Sequence, residues 1–158
     1  MVLVCDKILF MDYSKITDNL FIGDTPCKDE YDFLRNLGVR LVINMRYDRR
    51  PAIDLHQPPL DFLWLRTFDS PVLPIPIRTM MRGVHAALET IREGGKVYTH
   101  CVRGRHRGVA MGAAILIALG YDPDEAIELI KVRRPIADPD VFYIHRRIHR
   151  FARAWSRA

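Results

Sequence analysis

The sequence predicts an α/β domain, with a largely parallel central sheet flanked by helices, as a single unit over residues 1–158. Three observations carry that prediction. Runs rich in β-branched and aromatic residues alternate with segments of helical periodicity, the pattern of strand–helix–strand units. The run "VRLVINM" (Val39–Met45) is apolar without alternation, as suits a strand covered on both faces. A length of 158 residues, 49% hydrophobic and 27% charged, suffices for one buried core and does not suggest disorder.

Taken in order, "LFIG" (Leu20–Gly23) reads as a short strand. Asp24-Thr25-Pro26 then opens a helix, with Pro suited to the first turn, and Gly38 closes it. After the strand Val39–Met45, the polar, proline-containing segment Arg46–Pro59 is a loop. "FLWLRTF" (Phe62–Phe68) is the next strand, ended by "DSPVLPIP", whose three prolines forbid regular structure. An amphipathic helix runs from Ile77 to Glu93, with Met80, Val84, Ala87 and Ile91 at helical spacing, and Gly94-Gly95 stop it. "KVYTH" (96–100) is a strand, and Val109–Leu119 an apolar helix capped by Gly120. Asp122-Pro123-Asp124-Glu125 is a capping box with Pro at the first helical position, starting another helix. Asp138-Pro139 opens a last, basic helix, "DVFYIHRRIHRFARAW".

The formal charge of +5 favours anionic partners, whether phosphorylated substrates, nucleic acid or an acidic membrane surface. Cys5, Cys27 and Cys101 are an odd set at irregular spacing, a poor disulfide framework that suits a reducing compartment. The stretch "MVLVCDKILFMDYSK" lacks the basic region and apolar core of a signal peptide. Val109–Leu119 is too short to span a bilayer. A cytoplasmic protein without a membrane span is the expectation.

Chemistry concentrates in "THCVRGRHRG" (99–108). In a parallel sheet, ligands sit where strands end and helices begin, and Cys101 falls at such a place. The free N–H groups and positive dipole end of the following helix let residues 102–107 wrap an oxyanion. The same dipole and the neighbouring cations favour a nucleophilic thiolate at Cys101. Arg107 offers a planar fork matched to two phosphate oxygens, and Gly104 lets the loop curl. An inert buried thiol at Cys101 would explain neither the cations nor the glycines. A Walker-type nucleotide loop is excluded because Gly-Lys-Ser/Thr is missing.

The spacing Cys-x5-Arg preceded by His, "HCVRGRHR", resembles the signature of the cysteine-dependent protein tyrosine and dual-specificity phosphatases. "ITDNLFIGD", "LRNLGVRLVINM" and "AIELIKVRRPIADPDVFYIHRRI", with its Arg134-Pro135 pair, extend the resemblance over most of the chain. It implies a tyrosine phosphatase-like fold and a metal-independent hydrolase, compact and without a cofactor, working through a phosphocysteine. Cys101 would be the nucleophile and Arg107 the phosphate clamp, with Val102, Arg103, Gly104, Arg105, His106 and Gly108 completing the binding loop. His100 would support the loop from behind, while His106 is either an extra cation or a scaffold.

Expulsion of an alkoxide or phenoxide needs a proton, and the family takes it from an Asp about thirty residues before the cysteine. Asp69 lies 32 residues upstream (101 − 69), and "DSPVLPIP" resembles the family's acid loop. The rival, Asp61, precedes its strand and should sit at the opposite sheet edge. Gly108 departs from the Ser or Thr usual at that position, whose hydroxyl supports the sulfur as leaving group; slow hydrolysis of the phosphocysteine is the expected consequence.

The loop's extra cations resemble the Cys-x-Arg-Gly-Lys-His-Arg loop of plant and fungal atypical dual-specificity phosphatases. A small polyanionic phosphate ester, such as an inositol phosphate or pyrophosphate, therefore stands beside a phosphorylated protein as substrate. Arg46, Arg49 and Arg50 would either rim the same pocket or form a solvated basic loop. A catalytically weak phosphate-binding module and a nucleic-acid-binding protein are the rivals. No stacking-aromatic pattern supports the latter, so nucleic acid is not expected. His145 and His149, four apart, have a spacing that can hold zinc, but no Glu completes an HExxH motif and no metal is expected.

Overall fold

A computed structural model describes residues 10–158. The beginning of the N-terminal stretch, with Cys5, lies outside the described residues. The strands are β1 (Tyr13–Thr17), β2 (Leu20–Gly23), β3 (Val39–Arg46), β4 (Asp61–Thr67) and β5 (Lys96–His100). The helices are α1 (Tyr31–Asn36), α2 (Ile77–Arg92), α3 (Arg107–Ala118), α4 (Pro123–Arg133) and α5 (Phe142–Ser156). The strands form one sheet in the order β1-β2-β5-β3-β4. Among the described residues, only β1 runs antiparallel to its neighbour; the other pairings are parallel.

Strand alternation sends two sets of side chains to two cores. Leu20, Ile22, Ile43, Met45, Leu65 and Val97 face α2–α5, while Phe21, Val42 and Tyr98 pack with Tyr31 and Leu34 of α1. Helix α3 is apolar all round, and every residue from Arg107 to Ile117 is buried, as such a helix must be. It is the centre of the larger core. Its first turn is thereby fixed against the end of β5.

Three boundaries differ from the sequence reading. The first helix starts late: Cys27 caps a 3-10 turn (Lys28–Glu30) that leads into α1, with Cys27 N–H donating to Glu30 Oε2. Strand β1 was not expected; it is a sheet edge with mostly half-exposed side chains, so its apolar signal is weak. Helix α5 begins at Phe142 rather than at Asp138-Pro139, because the Asp138 N–H donates to Arg105 O and holds this segment on the cysteine loop. The predicted capping box of α4 is present, with Asp122 Oδ1 accepting from Asp124 N and Glu125 reaching back to Asp122 N.

Cys27 is disulfide-bonded and Cys101 is a free thiol. Among the described residues, no helix is long and apolar enough to cross a membrane.

Candidate active site

The carboxyl ends of β2, β3, β4 and β5 share one edge of the sheet, where parallel α/β folds bind ligands. Cys101 emerges there from β5, and the loop it begins ends where α3 starts at Arg107. Asp69 follows β4 at the same edge, whereas Asp61 is the first residue of β4 and sits at the other.

The loop is held by contacts on its outer side. Thr25 Oγ1 donates to Cys101 O at 2.7 Å, and buried His100 places Nδ1 3.1 Å from the same carbonyl. Arg134 is the largest support. Its guanidinium is fully buried and donates to Gly104 O (2.8 Å), Arg103 O (2.9 Å), Ser14 Oγ (3.1 Å) and Asp12 Oδ2 (3.1 Å). Gly104 has φ +66°, and a Cβ there would lie 2.5 Å from Gly23 O, so only glycine passes this point.

Gly108 sits in a tight place. A Cβ there would meet His100 Cα at 3.0 Å and Cys101 N at 3.2 Å, and its carbonyl accepts from Thr99 Oγ1. The missing hydroxyl at this position goes with the close seating of α3 on the end of β5.

Arg107 is tied to the sheet by one nitrogen. Nη1 donates to Thr67 O (2.6 Å) and Met45 O (3.2 Å), at the ends of β4 and β3. Its Nε is shielded and has no protein partner. An unpaired buried donor costs roughly 1–3 kcal/mol, and a charged donor in this state can receive an anion.

Asp69 is gripped from two sides. His106 Nδ1 lies 2.8 Å from Oδ2, and Tyr143 donates to Oδ1 at 2.7 Å. A carboxylate only accepts, so Nδ1 carries the proton in this contact. Burial pushes the Asp69 pKa up, but the hydrogen bonds from His106 and Tyr143 and the charges of His106 and Arg107 outweigh it and hold the carboxyl below its ordinary value. Tyr143 in turn is pushed up to about 12 by burial and by Asp69, so it stays a donor. His106 is thus the scaffold of the two readings: one ring nitrogen meets Asp69, and the other faces Asp138 at 3.8 Å.

Val102, Arg103 and Arg105 point to a side cavity of about 570 Å³, shared with Asp12, Asp24 and Asp138. Arg105 lies 3.8 Å from Asp138 there, while Asp12 is paired with Arg134. Arg46, the last residue of β3, is committed to Asp48 and to Thr25 Oγ1. Tyr143, Thr25 and Arg134 were not singled out as site residues from the sequence. Only Arg134 carried a local signal, an Arg preceding the Pro that ends α4.

A free thiol, an unpaired arginine donor and a fettered carboxyl meet at the carboxyl edge of a parallel sheet, an arrangement able to handle phosphate. No protein-family model matches the chain. Mouse dual specificity phosphatase 28 is 28% identical over 131 residues, covering 82% of this chain and 77% of that protein. Mouse phosphatidylglycerophosphatase and protein-tyrosine phosphatase 1 is 31% identical over 134 residues, covering 79% and 69%. The crystal structure of human DUSP28 superimposes with a TM-score of 0.81 at 21% identity, over 91% of this chain and 95% of that one. The chain belongs to the protein tyrosine and dual-specificity phosphatase superfamily. It is a phosphatase.

Proposed function

We propose that the protein hydrolyses phosphomonoesters through a phosphocysteine, with phosphotyrosine and phosphoserine or phosphothreonine of proteins as substrates. The thiolate of Cys101 attacks phosphorus while Arg107 Nε and the loop amides hold the non-bridging oxygens. Asp69 gives its proton to the departing oxygen, then takes one from the water that attacks the phosphocysteine. The S–P bond breaks, phosphate leaves and the thiolate is restored. The unpaired Nε of Arg107, on the loop begun by Cys101, is the observation that carries this reading.

A small polyanionic phosphate ester is the second reading. The name of the mouse relative that covers both a phospholipid phosphate and protein phosphotyrosine favours it. The side cavity weighs against it, because Asp138 lies against Arg105 and two further carboxylates, Asp12 and Asp24, line the same space. A phosphoprotein is therefore the first choice.

The test is phosphate release through many turnovers, with vanadate as competitor, for the parent protein and Cys101→Ser. Sustained release that Cys101→Ser abolishes supports the mechanism. Activity retained by Cys101→Ser sinks it, and a burst of one equivalent leaves a phosphate trap instead. Phosphopeptides run beside inositol phosphates then separate the two substrate classes. The mechanism calls on no metal, so chelator leaves turnover unchanged.

A further inference from the structure

We propose that Asp124, His145 and His149 form a zinc site that clasps α4 to α5. His145 and His149 stand four apart on α5, so their rings share a face, with centroids 4.5 Å apart. Asp124, the second residue of α4, completes the set from a different helix. One ligand atom from each of the three residues lies within 4.8 Å of the other two. The sequence shows two histidines without an HExxH glutamate; folding supplies the carboxylate from twenty-one residues before His145 (145 − 124).

The contact between His149 and Asp124 points to a shared ion. Their Nε2 and Oδ1 atoms are 3.2 Å apart, yet Nε2 is shielded and makes no hydrogen bond. The approach is therefore not a well-formed N–H···O pair. Tetrahedral zinc with bonds of about 2.0–2.1 Å sets its ligand atoms about 3.3 Å apart, close to this separation.

Charge decides which ion fits. The set offers a single carboxylate, and Arg146, Arg147 and Arg150 lie on the same helix. Calcium and magnesium rely on several oxygen ligands and are disfavoured here. Zinc bonds neutral imidazole nitrogen directly and tolerates a site of low negative charge. Water would take the fourth position.

The site is separate from the phosphate chemistry. Asp124 and Arg134 are ten residues apart along α4, roughly 15 Å at the helical rise. The ion would join the start of α4 to the helix that carries Tyr143, and stabilise the fold without entering phosphoryl transfer.

Calorimetric zinc titration of Cys101→Ser protein, which lacks the reactive thiol, tests the site directly. One equivalent of Zn²⁺ should bind, raise the melting temperature and, with Co²⁺ as a spectroscopic stand-in, give tetrahedral visible absorption. His145→Gln, His149→Gln and Asp124→Asn should each weaken binding by about tenfold or more, with the metal-free fold unchanged by circular dichroism. No saturable binding by the Cys101→Ser protein overturns the proposal. So does binding that survives any one of the three substitutions undiminished. Turnover of the parent enzyme should be equal with and without chelator, so a failure here leaves the phosphatase mechanism untouched.

Discussion

His106 and Asp69, thirty-seven residues apart in the chain, meet at 2.8 Å and tie the loop begun by Cys101 to the loop that follows β4. One residue belongs to the segment that would grip the substrate, the other to the segment that would protonate it. The pair makes the position of the acid depend on the shape of the loop.

That contact sets a pH dependence. The acid form of Asp69 is needed for leaving-group protonation, and its pKa is held down, so activity should decline with rising pH earlier than for an ordinary carboxyl. His106→Gln removes a hydrogen bond and a charge that lower this pKa. The descending limb of kcat/KM against pH should move to higher pH, and Tyr143→Phe should move it the same way. By linkage, the stability these contacts supply is present above the unfolded pKa and lost as pH falls through the folded one. Limbs that stay in place in both variants would remove Asp69 from the proton-donating role.

Asp69→Asn should discriminate between leaving groups. A general acid contributes about 10²–10⁴-fold where the departing oxygen needs a proton. The loss should approach that range with phosphoserine peptides and be much smaller with p-nitrophenyl phosphate, whose phenolate leaves unaided. Equal losses on both substrates would mean a structural effect of the substitution.

Arg134→Met should loosen the phosphate loop. The side chain is fully buried and donates to two loop carbonyls, and a charge-assisted hydrogen bond is worth about 1.5–3 kcal/mol. Urea denaturation should show a loss of at least that size. Vanadate affinity of the folded variant should fall too, because Gly104 and Arg103 lose their anchor. Unchanged vanadate affinity would show that the loop holds its shape without Arg134.

Gly108→Ser should impair the protein rather than improve it. The new Cβ would press on His100 Cα at 3.0 Å, and forced contacts in a packed core typically cost about 1–3 kcal/mol. A lower melting temperature and slower turnover are expected. A variant that turns over faster at unchanged stability would mean that α3 can shift at little cost and that the hydroxyl is missed.

The place of the Cys101 loop was legible in the sequence because its residues are contiguous: Cys101, Gly104 and Arg107 sit within seven residues at a strand–helix junction. The capping box at Asp122 was legible for the same reason. Tyr143 on Asp69 and Thr25 on Cys101 join segments more than seventy residues apart, and no local pattern announces them. Asp138 shows the limit sharply. Its Asp-Pro pair is a good helix start, yet the backbone bond to Arg105 claims it for the loop and defers α5 to Phe142. Arg103 and Arg105 looked like substrate cations in a linear reading; in three dimensions three aspartates share their cavity.

Strand β1 is a dispensable-looking edge, pairing among the described residues with β2 alone and contributing Ile16 to the larger core. Yet Ser14 and neighbouring Asp12 receive the far side of the Arg134 guanidinium, whose near side holds the phosphate loop. A chain shortened to begin at Leu20 would keep the four parallel strands and their helices while stripping half the partners from a buried cation. Such a fragment would be a folded scaffold with a slack socket, and anyone trimming this domain for expression would lose phosphate binding before losing the sheet.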